Sequence, residues 1–468
     1  MRSPLWSIPI TSRPSSTPST YLHAFLFTLF FNLSILILYF FLLLLSPLRL
    51  VKRGNIQFKQ FGKEWFGRIL VCVGGWFVGT EFVVSFDRGK GEESDWVERD
   101  KQGRVRALKL PEKAIWIANH QTLADWLFIW EFFYLTRSSS TLYIALKSSL
   151  RKIPVIGQAC QWFGFVFLER NWVKDRDGFE RQLDNMARDA NSEEGGALDF
   201  LLFPEGTIVT DNTRGISSRF AEKTGLKDFS YTLLPRSTGL FFALRQLAIR
   251  LPTLELIDLT IGYPLPRHDK SSTAQTNHIP LYPSEYYNLP SIFLQNVPPP
   301  ELHFHVRTYR LEEIPLGDLE GGGGGDGSEE ERKKFDEWLL KVWGEKDELL
   351  RRFNEEGSFC KGSVRSTTDR KRESQEDETD EEEDDDEGRI RWVPRFRDLG
   401  IELVGCAAII AVVVGVYGWG ISWVWTSAQG ALVGFLVSEG NVGTMGAGCG
   451  CGKKMTGMGM GSGERIEL

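Results

Sequence analysis

Residues 114–126 read AIWIANHQTLADW, an apolar strand-like run that leads through a polar junction into an apolar helix-like run. His120 follows the predicted strand 114–118, and Asp125 lies about one turn into the predicted helix 123–135. At that spacing the carboxylate can hold one imidazole nitrogen while the other nitrogen acts as a general base. From spacing alone, a histidine at a helix start with a chance aspartate neighbour is the more common explanation. The pair therefore needs support from elsewhere in the chain.

A second polar segment, FPEGT at 203–207, follows the apolar run 200–203. Gly206 lets backbone N–H groups approach a phosphate closely, because it carries no side chain. Glu205 and Thr207 add a carboxylate and a hydroxyl that can bind substrate hydroxyls. Read alone, such a segment is more often an ordinary tight turn.

Two further junctions place polar groups after an apolar run. Arg170 follows the run 163–168, where a guanidinium could bind a phosphate through two hydrogen bonds. A surface arginine paired with a glutamate is an equally common alternative. The segment LPRSTG at 234–239 follows the predicted strand 232–234 and opens the predicted helix 240–251, so its backbone N–H groups lie at a positive helix end. A simple capping turn is the alternative there.

These four blocks, in this order, resemble the 1-acylglycerol-3-phosphate acyltransferase family, in which NHxxxxD is followed by a GxxFxxR-type block, FPEGT and a proline-containing block. The resemblance covers about 98–359, with insertions near 271–300 and in a glycine-rich segment. It is closest to the lysophosphatidylinositol and lysocardiolipin acyltransferase branch. The segments that carry this similarity are NHQTLADW at 119–126, LKSSL at 146–150, PRSTG at 235–239, HFHV at 303–306 and EKD at 345–347.

The resemblance implies an acyl-CoA-dependent lysophospholipid acyltransferase that uses acyl-CoA as co-substrate, with no metal, no other cofactor and no covalent acyl-enzyme. His120 would be the general base, and Asp125 would orient it. Its partners would be acyl-CoA, a lysophospholipid such as lysophosphatidylinositol, and membrane lipid, and not nucleic acid. The substrate-binding residues implied by the family blocks, together with one nearby lysine, are Arg170, Glu205, Gly206, Thr207, Pro235 and Lys147.

Two other functions remain open at this stage. The same chemistry could act on lysophosphatidic acid in de novo phosphatidic acid synthesis, rather than in phospholipid remodelling. A non-enzymatic membrane scaffold is the other possibility, although degenerate motifs would be its signature and all four blocks are intact. The chain contains no G-x-S-x-G segment and no P-loop, which disfavours common serine hydrolases, P-loop kinases and NTPases.

The order of apolar runs predicts the fold class. Strand-like and helix-like runs alternate over 98–315, which is typical of an α/β domain. The resemblance implies a mixed sheet with flanking helices. The strand-like runs are 114–118, 163–168, 200–203, 232–234, 256–262 and 302–309, and the helix-like runs are 123–135, 179–190, 240–251 and 329–353.

Composition mainly excludes certain partners and certain kinds of site. The net charge of -7 is caused by one acidic tract, because residues 373–387 alone contain twelve Asp and Glu and no Lys or Arg. It therefore gives no reason to expect a basic partner. The six cysteines are scattered without CxxC spacing, so neither a disulfide framework nor a zinc site is indicated.

Three apolar stretches predict contact with a membrane. The run 21–46 is long enough for a transmembrane anchor, and the basic residues that follow it place the downstream side in the cytosol. The stretch 69–86 is shorter and glycine-containing, which favours an interfacial or re-entrant segment. The stretch 399–437 is predicted as a C-terminal transmembrane region. These stretches and the basic residues predict a multi-pass membrane protein with its catalytic domain facing the cytosol, and the resemblance implies the endoplasmic reticulum membrane.

The remaining boundaries follow from composition and, for the acyltransferase domain and its helical region, from the resemblance. They are a disordered N-terminus at 1–20, the acyltransferase domain at 98–315, a glycine-rich linker at 316–328, a C-terminal helical region of that domain at 329–360, an acidic disordered tract at 361–390 and a disordered tail at 440–468.

Overall fold

A computed structural model describes residues 4–87, 97–99, 105–266, 281–319, 325–359 and 389–392. The helices are α1 Pro18–Leu45, α2 Lys52–Val73, α3 Asp125–Leu135, α4 Ile156–Trp162, α5 Trp172–Ala190, α6 Asp211–Thr224, α7 Thr238–Arg250, α8 Pro283–Tyr286 and α9 Glu329–Glu356. The strands are β1 Glu81–Phe86, β2 Val97–Arg99, β3 Val105–Leu108, β4 Lys113–Ala118, β5 Leu142–Lys147, β6 Val166–Leu168, β7 Leu198–Leu202, β8 Glu255–Gly262, β9 Glu301–Arg310 and β10 Arg389–Trp392.

The main sheet is mixed and has the strand order β10-β1-β9-β8-β4-β7-β5-β6. Strands β8, β4, β7, β5 and β6 are mutually parallel, whereas β9 runs antiparallel to β8. At the other end, β1 pairs parallel to β9 and antiparallel to β10. The carboxyl ends of the five parallel strands therefore meet at one edge of the sheet, where ligands of α/β proteins usually bind.

Helices cover both faces of this sheet. Along β4, Trp116 packs into a cluster with side chains of α2 and α3. Its neighbours Ile115 and Ile117 point the other way and pack with α5, α7 and α9. A parallel strand buried on both faces explains why 114–118 reads as a continuous apolar run. The predicted α/β fold with a mixed sheet and flanking helices is confirmed.

One predicted strand is wrong. Residues 232–234 form no strand, because side chains rather than a neighbouring strand accept their backbone hydrogen bonds. The N–H of Thr232 donates to Asp347 at 2.9 Å, and the N–H of Leu233 donates to Glu205 at 3.2 Å. An apolar run of three residues cannot reveal such partners, since one of them lies more than 100 positions away.

The predicted interfacial or re-entrant segment 69–86 is also wrong. Its first residues end α2, and its last six form β1, which pairs with β9 inside the sheet. Gly79 separates the two elements with a left-handed φ of 69°, a conformation that favours glycine. Short apolar runs of this kind fit a buried strand as well as a membrane segment.

The N-terminal residues disagree with the predicted disorder. Residues 4–17 contain two short 3-10 turns, Leu5–Ser7 and Ile10–Ser12. The guanidinium of Arg13 donates at 2.5 Å both to Oγ of Ser291 and to the carbonyl oxygen of Tyr286. These contacts tie the segment before α1 to the α/β domain.

Helix α1 is long and apolar enough to cross a membrane. One of its sides packs on the domain, because Phe27 stacks on Phe293 at 5.0 Å between ring centroids and Tyr39 stacks on Trp162 at 5.3 Å. Its other side exposes large apolar side chains such as Phe40. The segment before α1 and side chains of α1 itself contact the α/β domain. The predicted transmembrane anchor 21–46 falls on this helix and stays a prediction.

The other predicted segments lie wholly or mostly outside the described residues and stay predictions. They are the acidic tract 361–390, the C-terminal transmembrane region 399–437 and the tail 440–468.

Candidate active site

The structure brings His120 and Asp125 into direct contact at the carboxyl end of β4. Nδ1 of His120 lies 2.9 Å from Oδ2 of Asp125, a hydrogen-bond distance. Asp125 is fully buried, whereas the side chain of His120 keeps 16% of its surface exposed. Because the carboxylate engages Nδ1, the second ring nitrogen, Nε2, is the one left to exchange a proton with a substrate.

Asp125 accepts several hydrogen bonds besides that of His120. The backbone N–H of Gln121 donates to Oδ2 at 2.7 Å, and the hydroxyl of Thr122 donates to Oδ1 at 2.9 Å. The hydroxyl of Tyr263 donates to Oδ1 at 2.6 Å. These donors fix the orientation of the carboxylate that contacts the imidazole.

Tyr263 is a member of this group that the sequence analysis missed. It directly follows β8, so its phenol reaches Asp125 across the junction of two neighbouring strands. Burial and the adjacent Asp125 raise the pKa of the Tyr263 hydroxyl well above its ordinary value, so it remains a proton donor. Its position directly after the predicted strand 256–262 was the available signal, since the other site segments also follow strands.

The backbone around His120 is fixed by neighbouring junctions. Asn119 exchanges two hydrogen bonds with the backbone of Ile261, at 3.0 and 2.8 Å, and so joins the ends of β4 and β8. The N–H of Val209 donates to the carbonyl oxygen of His120 at 3.0 Å. The imidazole stacks on the ring of Phe203 with centroids 4.4 Å apart. The histidine is therefore held by residues from three strand ends.

The carboxylate of Glu205 is buried beneath His120. It accepts hydrogen bonds from the backbone N–H groups of Leu233, at 3.2 Å, and His120, at 3.4 Å. Burial raises the pKa of Glu205 to about 8, while those two donors and the charge of Lys346 act in the opposite direction. Glu205 therefore holds the backbone of His120 and Leu233 in place. The predicted contact between Glu205 and substrate stays a prediction.

The other predicted binding residues lie at the same edge of the sheet. Gly206 has a left-handed φ of 71° and Thr207 is half-buried beside it. Lys147 ends β5 and is exposed. Arg170 follows β6, and Pro235 precedes α7. The imidazole contacts Asp125 and Phe203, so the roles of these five residues stay predictions.

Helix α9 supports the site from outside the four blocks. Asp347 accepts the backbone N–H groups of 230–232 and the hydroxyl of Thr232, at 2.7 to 3.2 Å. The same segment receives a hydrogen bond from the side chain of Gln121, which donates to the carbonyl oxygen of Tyr231 at 3.1 Å. The segment therefore links α9 to the residue that follows the histidine.

The neighbouring Lys346 is fully buried and pairs with Asp258 in β8 at 2.5 Å. Arg307 in β9 contacts the same carboxylate at 2.7 Å. Burial lowers the pKa of Lys346 from its ordinary value, even though Asp258 acts to raise it. Removing one partner of a buried ion pair leaves an uncompensated charge and strongly destabilises the folded protein. These ion pairs therefore join α9 firmly to the sheet.

A comparison with protein families matches residues 102–263 to the family described as Acyltransferase. The chain is 33% identical over 279 residues to 2-acyl-1-lysophosphatidylinositol acyltransferase of Saccharomyces cerevisiae, covering 53% of this chain and 64% of that protein. It is 30% identical over 303 residues to an uncharacterized acyltransferase of Schizosaccharomyces pombe, covering 65% of this chain and 76% of that protein.

A vertebrate relative is similar over the same region. The chain is 35% identical over 246 residues to lysocardiolipin acyltransferase 1 of Gallus gallus, covering 53% of this chain and 55% of that protein. The matched region thus spans 64% of the budding-yeast relative and about half of the vertebrate one.

Proposed function

Because this chain belongs to the acyltransferase family, we propose that it transfers a fatty acyl group from acyl-CoA to the free hydroxyl of a lysophospholipid in phospholipid remodelling. The observation that carries the proposal is the contact between His120 and the buried Asp125, which leaves Nε2 of the imidazole for the acceptor hydroxyl. The names of two relatives favour lysophosphatidylinositol or a lysocardiolipin as acceptor.

In the proposed reaction, Nε2 of His120 accepts the hydroxyl proton as the acceptor oxygen attacks the thioester carbonyl. The new C–O bond forms and the C–S bond breaks, so CoA leaves as a thiolate. The imidazolium then returns the proton to that sulfur. Asp125 stabilises the imidazolium while it exists, because its carboxylate faces Nδ1. The thioester is already activated, so no nucleophilic side chain is needed.

The remaining predicted residues have binding roles in this proposal. Arg170 and Lys147 supply positive charge for a phosphate, and Gly206 lets the backbone approach that phosphate closely because it has no side chain. Thr207 supplies a hydroxyl to the acceptor. Pro235 shapes the segment that leads into α7. Each of these roles is supported by a position at the shared edge of the sheet.

The protein associates with a membrane in this proposal through the exposed apolar side of α1. Placing the site at a bilayer surface shortens the path of two amphiphilic substrates. We propose the endoplasmic reticulum membrane as its location, with the catalytic domain facing the cytosol.

The proposal is tested by an acyl-transfer assay on membranes that hold the full chain. One labelled acyl-CoA is offered with lysophosphatidylinositol, a lysocardiolipin or lysophosphatidic acid. His120→Ala is measured beside wild type, with His23→Ala in α1 as a control that removes a histidine far from the site along the chain. Thermal unfolding of each variant shows whether it is folded.

We expect transfer that His120→Ala lowers by about 10²- to 10⁴-fold, the range that general base catalysis supplies, and that His23→Ala retains. Preference for lysophosphatidic acid would move the function to de novo synthesis. No transfer to any acceptor, or equal transfer by His120→Ala, would contradict the proposed acyl transfer and favour the non-enzymatic membrane scaffold.

A further inference from the structure

The connection between β5 and α4 carries an exposed surface that the proposed function does not use. This β5–α4 segment comprises residues 148–156, which read SSLRKIPVI and follow Lys147 at the end of β5. Three of its bulky apolar side chains are exposed, with Leu150 at 37%, Ile153 at 40% and Ile156 at 44% of their surface. Exposed apolar side chains that cluster in this way are typical of a surface that binds a partner or a membrane.

The charge of the β5–α4 segment is purely positive. Arg151 and Lys152 lie between its apolar residues in sequence, and both are exposed. No Asp or Glu occurs in residues 142–168, so these two basic residues have no acidic neighbour along the chain. Basic side chains match the anionic headgroups of a bilayer surface, and apolar side chains beside them match the boundary with the acyl chains.

The segment is held in one shape by its own backbone. The N–H of Ile153 donates to the carbonyl oxygen of Leu150 at 3.2 Å, and the N–H of Gly157 donates to that of Ile153 at 2.8 Å. The turn is so tight that a Cβ on Gly157 would lie 2.3 Å from the carbonyl oxygen of Arg151. Val155 has a φ of 64°, a left-handed conformation that is strained for a β-branched residue. Such strain clusters at functional positions, which fits a turn that presents apolar side chains outward.

The β5–α4 segment lies near the end of α1, the helix for which membrane contact is proposed above. Trp162 ends α4, and its ring stacks on Tyr39 of α1 with centroids 5.3 Å apart. The guanidinium of Arg49, just after α1, lies 5.7 Å from the centroid of the same ring, and the adjacent Leu50 is exposed. Because α4 has seven residues, the segment ends only about 10 Å along that helix from Trp162. The two exposed apolar surfaces are therefore neighbours.

Charge alone would also allow the acidic tract 373–387 of this chain as the partner of the segment. That tract contains no apolar residue, so it could neutralise Arg151 and Lys152 but could not cover Leu150 or Ile153 with apolar surface. A bilayer surface with anionic headgroups satisfies both the charges and the apolar side chains. The observations therefore favour lipid over the acidic tract.

We propose that the β5–α4 segment docks on an anionic lipid surface, with its three exposed apolar side chains at the acyl-chain boundary and Arg151 and Lys152 at the headgroup phosphates. The inference rests on the membrane association proposed above, and not on the acyl transfer. Strands β4, β7 and β5 are parallel, so the segment after β5 and His120 after β4 lie at the same edge of the sheet. Docking at this edge holds the candidate active site toward the bilayer, from which an amphiphilic acceptor can enter it.

The test measures where the segment lies in a reconstituted membrane. The full chain, with its six natural cysteines replaced, carries an environment-sensitive fluorophore on Ser149→Cys or, as the control, on Thr253→Cys. Both positions are exposed, but Thr253 precedes the start of β8 and so lies at the opposite edge of the sheet. The vesicles contain phosphatidylcholine alone or equal parts of phosphatidylcholine and phosphatidylserine. The quencher is a nitroxide on the lipid acyl chains or iodide in the water.

In the mixed vesicles, we expect the nitroxide to quench the residue-149 fluorophore strongly and iodide to quench it weakly, with the reverse at residue 253. Arg151→Gln with Lys152→Gln should lower the ratio of docked to undocked fluorophore about 5-fold for each charge removed, since one basic residue near an anionic surface contributes about 1 kcal/mol. Lys341→Gln removes the charge of an exposed lysine on α9 and should leave the ratio unchanged.

The apolar contribution is tested with a second pair of variants. Ile153→Asn should lower the same ratio about 10-fold, because a large apolar side chain no longer leaves water on docking. Ile249→Asn is the matched control, since Ile249 is also exposed but lies near the end of α7, which leads to the start of β8. It should behave like the protein without either substitution.

A residue-149 fluorophore that iodide quenches as strongly as the residue-253 one overturns the inference, and so does equal nitroxide quenching in the two kinds of vesicle. Shielding from both quenchers would place protein, such as the acidic tract, over the segment and overturns it as well. Acyl transfer is assayed in the same vesicles, so docking without transfer contradicts the proposed function alone. Vesicles that float without the protein contradict the proposed membrane association, and this inference falls with it.

Discussion

The hydroxyl of Tyr263 donates a 2.6 Å hydrogen bond to one oxygen of Asp125, and the other oxygen of that carboxylate lies 2.9 Å from Nδ1 of His120. Three residues from two neighbouring strand ends thus form one chain of hydrogen bonds. The phenol and the imidazole both contact the carboxylate of Asp125. Tyr263 is therefore a positioning residue for the proposed base.

Tyr263→Phe tests that relationship. Without the phenol, Oδ1 of Asp125 loses a hydrogen-bond donor, so the carboxylate is held less firmly against Nδ1 of His120. We expect kcat at neutral pH to fall about 10-fold, the typical effect of one hydrogen bond to a charged group. Tyr287→Phe is the control, because its hydroxyl donates to the carbonyl oxygen of Pro264 and not to the carboxylate. A kcat that is unchanged in a folded Tyr263→Phe protein would exclude this role.

Asp125→Asn should inactivate the protein without removing side-chain volume. The asparagine amide can donate to Nδ1 of His120, which would leave the proton on Nε2, the nitrogen that must accept one. We expect kcat to fall by about 10²- to 10⁴-fold, as for loss of a general base. Steady-state rates and thermal unfolding are measured together. A folded Asp125→Asn protein with nearly full activity would contradict the assignment.

Asp347→Ala should disturb the site from a distance. The carboxylate binds the backbone N–H groups of 230–232, so its loss leaves these donors without a protein partner. We expect the free energy of unfolding to fall by roughly 3 kcal/mol, given the usual value of hydrogen bonds to charged groups, and kcat to fall as well. Asp336→Ala removes the same charge from an exposed position of α9 and should leave both quantities unchanged. Equal behaviour of the two variants would rule out this support.

The position of α1 predicts that its two flanks lie on the same side of a membrane. Single cysteines are introduced at Ser15, before α1, and at Glu222, on the exposed surface of α6, after replacement of the six natural cysteines. In sealed microsomes, an impermeant maleimide should label both positions to the same extent, because Arg13 ties the N-terminal segment to the α/β domain. Labelling of one position only until detergent is added would show that α1 spans the bilayer.

The parts of the site that the sequence predicts are those made within one junction. His120 and Asp125 are five positions apart, so strand-to-helix geometry alone brings them close. Tyr263 joins the same carboxylate from 138 positions away, and only the pairing of β4 with β8 makes them neighbours. Arg236 is quoted within a recognised block, yet its contact with Gly206 depends on how two loops fold together.

The fold shows the same limit. The apolar alternation of strands and helices is sufficient to predict the α/β class, because it records which residues are buried. It fails for 232–234, where Glu205 and Asp347 accept the hydrogen bonds that would otherwise define a strand. At α1 it predicts an apolar helix but not the division of that helix into one side that packs on the domain and one side that is exposed. Hydropathy shows that a helix is apolar, but it does not show whether protein or lipid covers its apolar side chains.

The contact of Asp347 with the 230–232 segment also determines when the site can form during synthesis. Every residue of the four motifs leaves the ribosome before the acidic residue that ties down the segment beside His120. Because domains fold as units while the chain emerges from its N-terminus, the histidine and its aspartate must wait for α9. A nascent chain stalled in the glycine-rich stretch would carry the complete family signature and still be an unfinished catalyst.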